Sequence, residues 1–202
     1  MISSDEKRTL DYYKENADTF FQTTVSVDFS KNQEVFLSYI KRGSHILDFG
    51  CGCGRDSKYF LEKGFIVDAT DGSEDLCKLA SAYTGLTVRR LFFHELSEEN
   101  TYDAVWACAS ILHVKKQDLP LIFKKICRAL KDEGILYTSF KYGELEGFRG
   151  GRYYTDFTRE SFDAFHGEYL RDYFVLLASY ITSDVRPGMK EEKWLNLILK
   201  KI

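Results

Sequence analysis

From Ser44 to Phe140, short apolar runs alternate with amphipathic stretches. This is the pattern of parallel strands joined by crossover helices, and an open α/β sheet is the fold it fits. The runs are His45–Phe49, Gly64–Thr70, Leu86–Phe92, Tyr102–Ala107 and Gly134–Phe140, with helices expected near residues 55–63, 74–83 and 118–131. In the last of these, Leu119, Ile122, Phe123, Ile126, Cys127 and Leu130 recur at three- and four-residue steps and form one stripe to lie on a sheet. Two later runs, Tyr173–Tyr180 and Trp194–Leu199, are joined by a segment bearing Pro187-Gly188 and no helical stripe, so they read as an antiparallel hairpin. The length suits a single domain. Residues 1–43, helical in spacing around Thr9 to Phe21, form a segment able to fold over the sheet's mouth, and residues 44–202 form the core.

The chain carries 28 basic and 31 acidic residues, a net charge of −3, which gives no general pull toward nucleic acid or anionic lipid. Arg89-Arg90 and Lys115-Lys116 are too short for a nucleic-acid track. No run of apolar residues is long enough to span a membrane, and the stretch Met1 to Arg8 has no apolar segment after its charges. The five cysteines, Cys51, Cys53, Cys77, Cys108 and Cys127, are an odd number without a disulfide framework. Cys51 and Cys53 are one residue apart with no second pair at zinc spacing, so no metal site is expected. Small buried thiols in a reducing cytoplasm are the consistent reading.

The stretch Asp48-Phe49-Gly50-Cys51-Gly52-Cys53-Gly54-Arg55-Asp56 lies between the first strand and the first helix. Alternating glycines there let a ligand approach the main chain at the carboxyl ends of the strands, beside the unpaired N–H groups of a helix start. A dinucleotide fingerprint would need glycine at Arg55 or Ser57, and a phosphate loop would need Gly-Lys-Ser or Gly-Lys-Thr where Gly54-Arg55-Asp56 stands. An acid at Asp48 would repel a pyrophosphate but suits an ammonium group or ribose hydroxyls. S-adenosylmethionine is a ligand of that kind.

Asp48-x-Gly50-x-Gly52-x-Gly54 after a hydrophobic strand resembles the first motif of class I S-adenosylmethionine-dependent methyltransferases. Asp71, in Thr70-Asp71-Gly72-Ser73 at the end of the second strand, resembles the acid that in this family accepts hydrogen bonds from both ribose hydroxyls. Phe93-His94 falls where the family cradles adenine, although an acid-alanine pair is commoner there. The fourth strand, running through Cys108 to Leu112-His113-Val114, is similar to the family's loop beside the methyl donor. The resemblance implies a Rossmann-like, seven-stranded, mostly parallel sheet in the order 3-2-1-4-5-7-6, strand 7 antiparallel, with helices on both faces. It further implies S-adenosylmethionine as cofactor and S-adenosylhomocysteine as product. Tyr13, Asp48, Gly50, Cys51, Gly52, Gly54, Asp71, Gly72, Ser73, Phe93, His94 and Cys108 are its implied cofactor-binding positions. Gly54-Arg55-Asp56-Ser57, Tyr12-Tyr13 and Phe140-Lys141-Tyr142-Gly143 are similar to bacterial small-molecule methyltransferases grouped with tellurite-resistance proteins.

Methyl transfer from an activated sulfonium asks a protein mainly to position and desolvate, with a base required only when the acceptor must lose a proton. His113 is a candidate base or orienting donor, or else a helix-start histidine bonded to backbone. The loop from Lys141 to Tyr154 is the candidate acceptor site, with Lys141, Tyr142, Arg149 and Arg152 as its candidate reactive or substrate-binding side chains. Arg149 and Arg152 offer paired hydrogen bonds to an anion, whereas Glu144 and Glu146 would favour a cation or fix those arginines. Tyr12, Tyr13, Phe20 and Phe21 either cover the cofactor's methionine end or simply pack on the sheet. The expectation is a single-domain methyltransferase of a small molecule, monomeric or weakly dimeric, with a non-catalytic cofactor-binding sensor as the alternative. An RNA or protein methyltransferase is disfavoured by the acidic net charge.

Overall fold

The computed structural model describes residues 3–202; Met1 and Ile2 of the N-terminal stretch lie outside the described residues. Three helices come first, α1 (Ser4–Glu15), α2 (Ala17–Thr24) and α3 (Ser30–Leu37). The alternating part follows as β1 (His45–Phe49), α4 (Arg55–Glu62), β2 (Ile66–Asp71), α5 (Glu74–Thr84), β3 (Arg89–Arg90), β4 (Tyr102–Ala107), α6 (Leu119–Ala129) and β5 (Leu130–Lys141). The chain ends with β6 (Glu146–Arg149), β7 (Arg152–Thr155), α7 (Arg159–Phe165), β8 (Phe174–Ser183) and β9 (Lys193–Lys201).

Seven strands form one sheet in the order β3-β2-β1-β4-β5-β9-β8. Strands β1 to β5 run parallel, and β9 runs antiparallel to both β5 and β8. Strands β6 and β7 pair only with each other. Without them the last two strands are sixth and seventh in chain order, and the sheet has the 3-2-1-4-5-7-6 arrangement that the resemblance implies. Winding runs outward from β1 in both directions, so a crevice opens between the carboxyl ends of β1 and β4, where open α/β sheets bind ligands.

Period-two alternation sends neighbouring side chains of each strand to opposite faces. Leu47, Phe49 and Val105 join Ile122, Phe123 and Ile126 of α6 on one face. Ile46, Ala104 and Trp106 join Phe36 and Phe60 on the other, where the Trp106 and Tyr137 rings stack with centroids 3.9 Å apart. Burying such side chains stabilises by about 1.5–3 kcal/mol each, which holds the strand ends rigidly enough to place a site.

The N-terminal segment is not one helix. Asn16 ends α1 and its side-chain amide donates to the Tyr12 carbonyl at 2.8 Å, a local bond that competes with the helical ladder and turns the chain into α2. Helix α3 has no counterpart in the expected elements and belongs to the core, its Phe36 fully buried between Phe60 and Trp106. The third strand shrinks from the expected Leu86–Phe92 to Arg89–Arg90 because Val88 packs down onto Ala69 and Ala80, while Leu91, Phe92 and Phe93 turn into the crevice. The Lys141 to Tyr154 segment is ordered as the β6–β7 hairpin, turning on Gly150 and Gly151 with φ of +56° and +83°, which suit a two-residue hairpin turn.

Candidate active site

The crevice is lined by the glycine loop, by the ends of β2, β4 and β5, and by α1 and α2 above it. Gly50 and Cys51 donate their backbone N–H groups to the Thr70 carbonyl at 2.9 Å each, which ties the loop to the neighbouring strand. Asp71 at the end of β2 completes that tie. One carboxylate oxygen accepts from Gly52 N–H at 2.9 Å and the other from Ser73 N–H at 2.8 Å. Burial raises the Asp71 pKa above the ordinary carboxylate value, and these backbone donors work against that rise.

The three glycines do different work. All have positive φ, +84° at Gly50, +56° at Gly52 and +80° at Gly54. A Cβ on Gly54 would lie 2.8 Å from Thr84 Cγ2, so this residue allows α4 to approach α5 and does not line the crevice. A Cβ on Gly52 would meet the Phe20 ring at 3.1 Å, and one on Gly72 would meet Leu10 at 2.9 Å. Both would press against the helices that roof the cleft.

Of the expected cofactor positions, Tyr13, Gly50, Cys51, Gly52, Asp71, Gly72, Phe93 and Cys108 line the crevice. Asp48 does not. Its position in β1 points it to the face covered by α4, where it is 2% exposed and accepts a 2.6 Å hydrogen bond from Ser57 Oγ. Burial and the nearby Asp56 push its pKa up, which disfavours the charged form that an ammonium group would need. Ser73 caps α5 instead, accepting from Leu76 N–H. His94 stacks outside the crevice on Phe92, its Nδ1 4.0 Å from Glu6. Burial raises the thiols of Cys51 and Cys108, which keeps them protonated.

Among the candidate reactive groups, His113, Lys141 and Arg152 line the crevice, and Tyr142 and Arg149 do not. Arg149 is held away by a two-pronged bond to Asp156 at 3.0 and 3.2 Å, and Tyr142 is exposed. Both nitrogens of His113 are engaged, Nδ1 at 2.6 Å from the Tyr153 carbonyl and Nε2 at 2.9 Å from the Tyr13 hydroxyl. A carbonyl only accepts, so Nδ1 carries the ring proton and Nε2 accepts from Tyr13. Burial pushes His113 down to about 4 and raises the Tyr13 phenol. The pair is therefore neutral, and the group facing outward is the Tyr13 oxygen, with no ring nitrogen free to meet an acceptor. An NMR titration between about pH 8 and pH 5.5 should leave the His113 Cε1 proton shift flat; a midpoint near the ordinary value of about 6.5 would contradict this geometry.

Lys141 at the end of β5 is 6% exposed, donates to Asp184 at 3.3 Å, touches the Glu192 carboxylate and lies 4.1 Å over the Trp194 ring. Burial pushes its pKa down to about 8. Asp184, Arg186 and Trp194 come from the terminal hairpin and were not among the expected site residues. The antiparallel register sets Trp194 opposite Lys141; the expected 5-7-6 order already implied that the start of the last strand lies beside the end of the fifth. Also unanticipated is Asp56, which lines the crevice while binding Arg55, Gln33 and the Trp106 indole N–H, and so anchors α3.

A parallel sheet with a glycine turn at its switch point and an acid bracing that turn defines a Rossmann-like domain of the nucleoside-binding kind. A protein-family model for a methyltransferase domain matches residues 46–134. The Bacillus subtilis (strain 168) methyltransferase-like protein YqeM is 36% identical over 111 residues, which are 50% of this chain and 45% of that one. The N-terminal Xaa-Pro-Lys N-methyltransferase 1 of Bos taurus is 30% identical over 125 residues, 55% of this chain and 56% of that one. The chain thus spans about half the length of these curated relatives. The crystal structure of the 1,6-didemethyltoxoflavin-N1-methyltransferase of Burkholderia thailandensis, with 1,6-didemethyltoxoflavin and S-adenosylhomocysteine bound, superposes with a TM-score of 0.75 at 19% identity. It covers 100% of this chain and 92% of that one, a likeness of fold. Residues 46–134 thus match a methyltransferase domain, and the chain as a whole shares the fold of the Burkholderia enzyme.

Proposed function

We propose that the protein is a methyltransferase that uses S-adenosylmethionine to methylate a small molecule. The observation that carries the reading is the braced cradle. The glycine loop and Asp71 hold each other through Gly52 N–H, and no side chain can be added at Gly52 or Gly72 without pressing on the roofing helices. Each Asp71 oxygen accepts one backbone hydrogen bond and keeps acceptor capacity for a ribose hydroxyl. In this reading Gly50 to Gly52 lie along the amino-acid end of the cofactor and Phe92 and Phe93 beside the adenine. S-adenosylmethionine supplies an electrophilic methyl group on a sulfonium.

The chain's own groups exclude water and fix orientation. Tyr13 packs edge-on against Phe20 and His113, which closes the crevice with rings. A roof made of α1, α2 and the β6–β7 hairpin leaves a partly covered crevice suited to a compact acceptor, as the small-molecule ligand of the Burkholderia enzyme also suggests. Five free cysteines support a reducing, cytoplasmic setting. Among the described residues no helix is long and apolar enough to cross a membrane.

Isothermal titration with S-adenosylhomocysteine, followed by turnover of methyl-labelled S-adenosylmethionine against a metabolite panel, tests the reading. Absence of binding would sink it. Binding with no methylated product would leave the sensor role in its place, and methylation confined to protein N-termini would transfer it to the activity named for the Bos taurus relative.

A further inference from the structure

The cations of the crevice fall into two groups. Arg55 is bound to Asp56 at 2.8 and 3.0 Å, Arg186 to Asp184 at 2.6 Å, and Lys141 to Asp184 at 3.3 Å. Arg152 stands apart. Among the described residues no carboxylate lies within 4 Å of it, and its one protein hydrogen bond is a long 3.5 Å contact from Nη1 to the Tyr13 hydroxyl. Its Nε is buried with no partner. The guanidinium is held by rings instead, its carbon 4.5 Å from the centre of Tyr12, 5.4 Å from Tyr154 and 5.7 Å from Tyr13.

Ring faces attract a guanidinium, but they leave its N–H groups unmet, and a half-buried cation gains from an opposite charge. Among the described residues no carboxylate at salt-bridge distance supplies one. The neighbouring His113 is neutral, and Tyr13 and Tyr154 are phenols whose pKa burial raises. The position also matters: Arg152 starts β7, in the roof of the crevice, where it and His113 share the Tyr13 hydroxyl.

Resting on the methyltransferase reading above, we propose that the methyl acceptor is a small aromatic acid, whose anionic group is held by Arg152 and whose ring lies among Tyr13, Tyr154 and Trp194. A planar guanidinium takes a carboxylate through two parallel hydrogen bonds, and the flanking rings give the acceptor's apolar body a matching surface. A protonated amino group, which would have to lose its proton before it could accept a methyl group, meets repulsion at this place.

The test uses the full chain loaded with S-adenosylhomocysteine and two matched probes, quinoline-4-carboxylate and quinoline-4-carboxamide, titrated by ligand-observed NMR. The carboxylate should bind the wild type about tenfold or more tightly than the amide, as expected for charge-assisted bonds. Arg152→Met should remove that preference, and Arg152→Lys should restore part of it, with thermal melting confirming that each variant is folded. Equal affinity for the probes, binding of neither, or a preference that survives Arg152→Met overturns the proposal. So does a tenfold loss of S-adenosylhomocysteine affinity in Arg152→Met with probe preference intact, since Arg152 would then serve the cofactor's own carboxylate. Wild-type protein that fails to bind S-adenosylhomocysteine at all brings down the methyltransferase reading itself, a result read before any probe is added.

Discussion

Asp71→Ala is expected to weaken S-adenosylhomocysteine binding by at least two orders of magnitude, about 3 kcal/mol. The carboxylate has two tasks, and alanine removes both. It accepts from Gly52 and Ser73 N–H at 2.9 and 2.8 Å, which pins the glycine loop to the end of β2, and it is the proposed seat of the ribose hydroxyls. Asp71→Asn should fare little better, since its one oxygen could accept from only one of the two backbone donors and the amide NH2 would be turned against the other. Calorimetric titration of the three proteins checks this. An affinity within threefold of wild type in the alanine variant would mean that the sugar sits elsewhere.

The second large effect concerns Gly50. A Cβ there would lie 2.5 Å from Ser110 Cβ and 3.3 Å from the Phe93 ring, and Ser110 cannot step aside freely because its hydroxyl donates to the Phe49 carbonyl at 2.7 Å. The backbone φ of +84° adds the left-handed penalty that any L-residue meets. Together, crowding and backbone strain predict a loss of about 2–5 kcal/mol in stability for Gly50→Ala, with cofactor binding lost as the loop shifts. Urea unfolding and calorimetry read the two effects separately. A variant with wild-type midpoint and affinity would contradict the close approach of the β1 and β4 loops.

The sheet was legible because its determinants are local. The apolar runs, the stripe on α6 and the two-strand ending are each contained within a few tens of residues, whereas the strand order came from the resemblance of the glycine motif and Asp71 to a known family. Asp71 and the glycine loop were legible for the same reason. Asp48 was not, because its spacing shows that an acid precedes the glycines but not that the strand turns it toward α4 and Ser57. Tyr142 and Arg149 stood in the segment that forms the hairpin and its flanks, but Tyr142 precedes the hairpin and is exposed, and Arg149, although opposite Arg152 in the register, is drawn aside by Asp156. Asp184 and Trp194 reach Lys141 only through pairing between strands distant in sequence, and α3 is held by the buried Phe36 and the Gln33–Asp56 bond, which no periodicity marks.

The roof of the crevice joins opposite ends of the chain: Thr9 accepts from Tyr153 N–H across 144 positions, Tyr12 lies against Gly151, and Asp5 pairs with Lys115. During synthesis the first helix leaves the ribosome early, and its contacts with β7 form only after residue 150 has followed it. Chains interrupted upstream of residue 150 would lack this part of the cover together with the last two strands of the sheet, and would present an open, aromatic-lined trough to the cell.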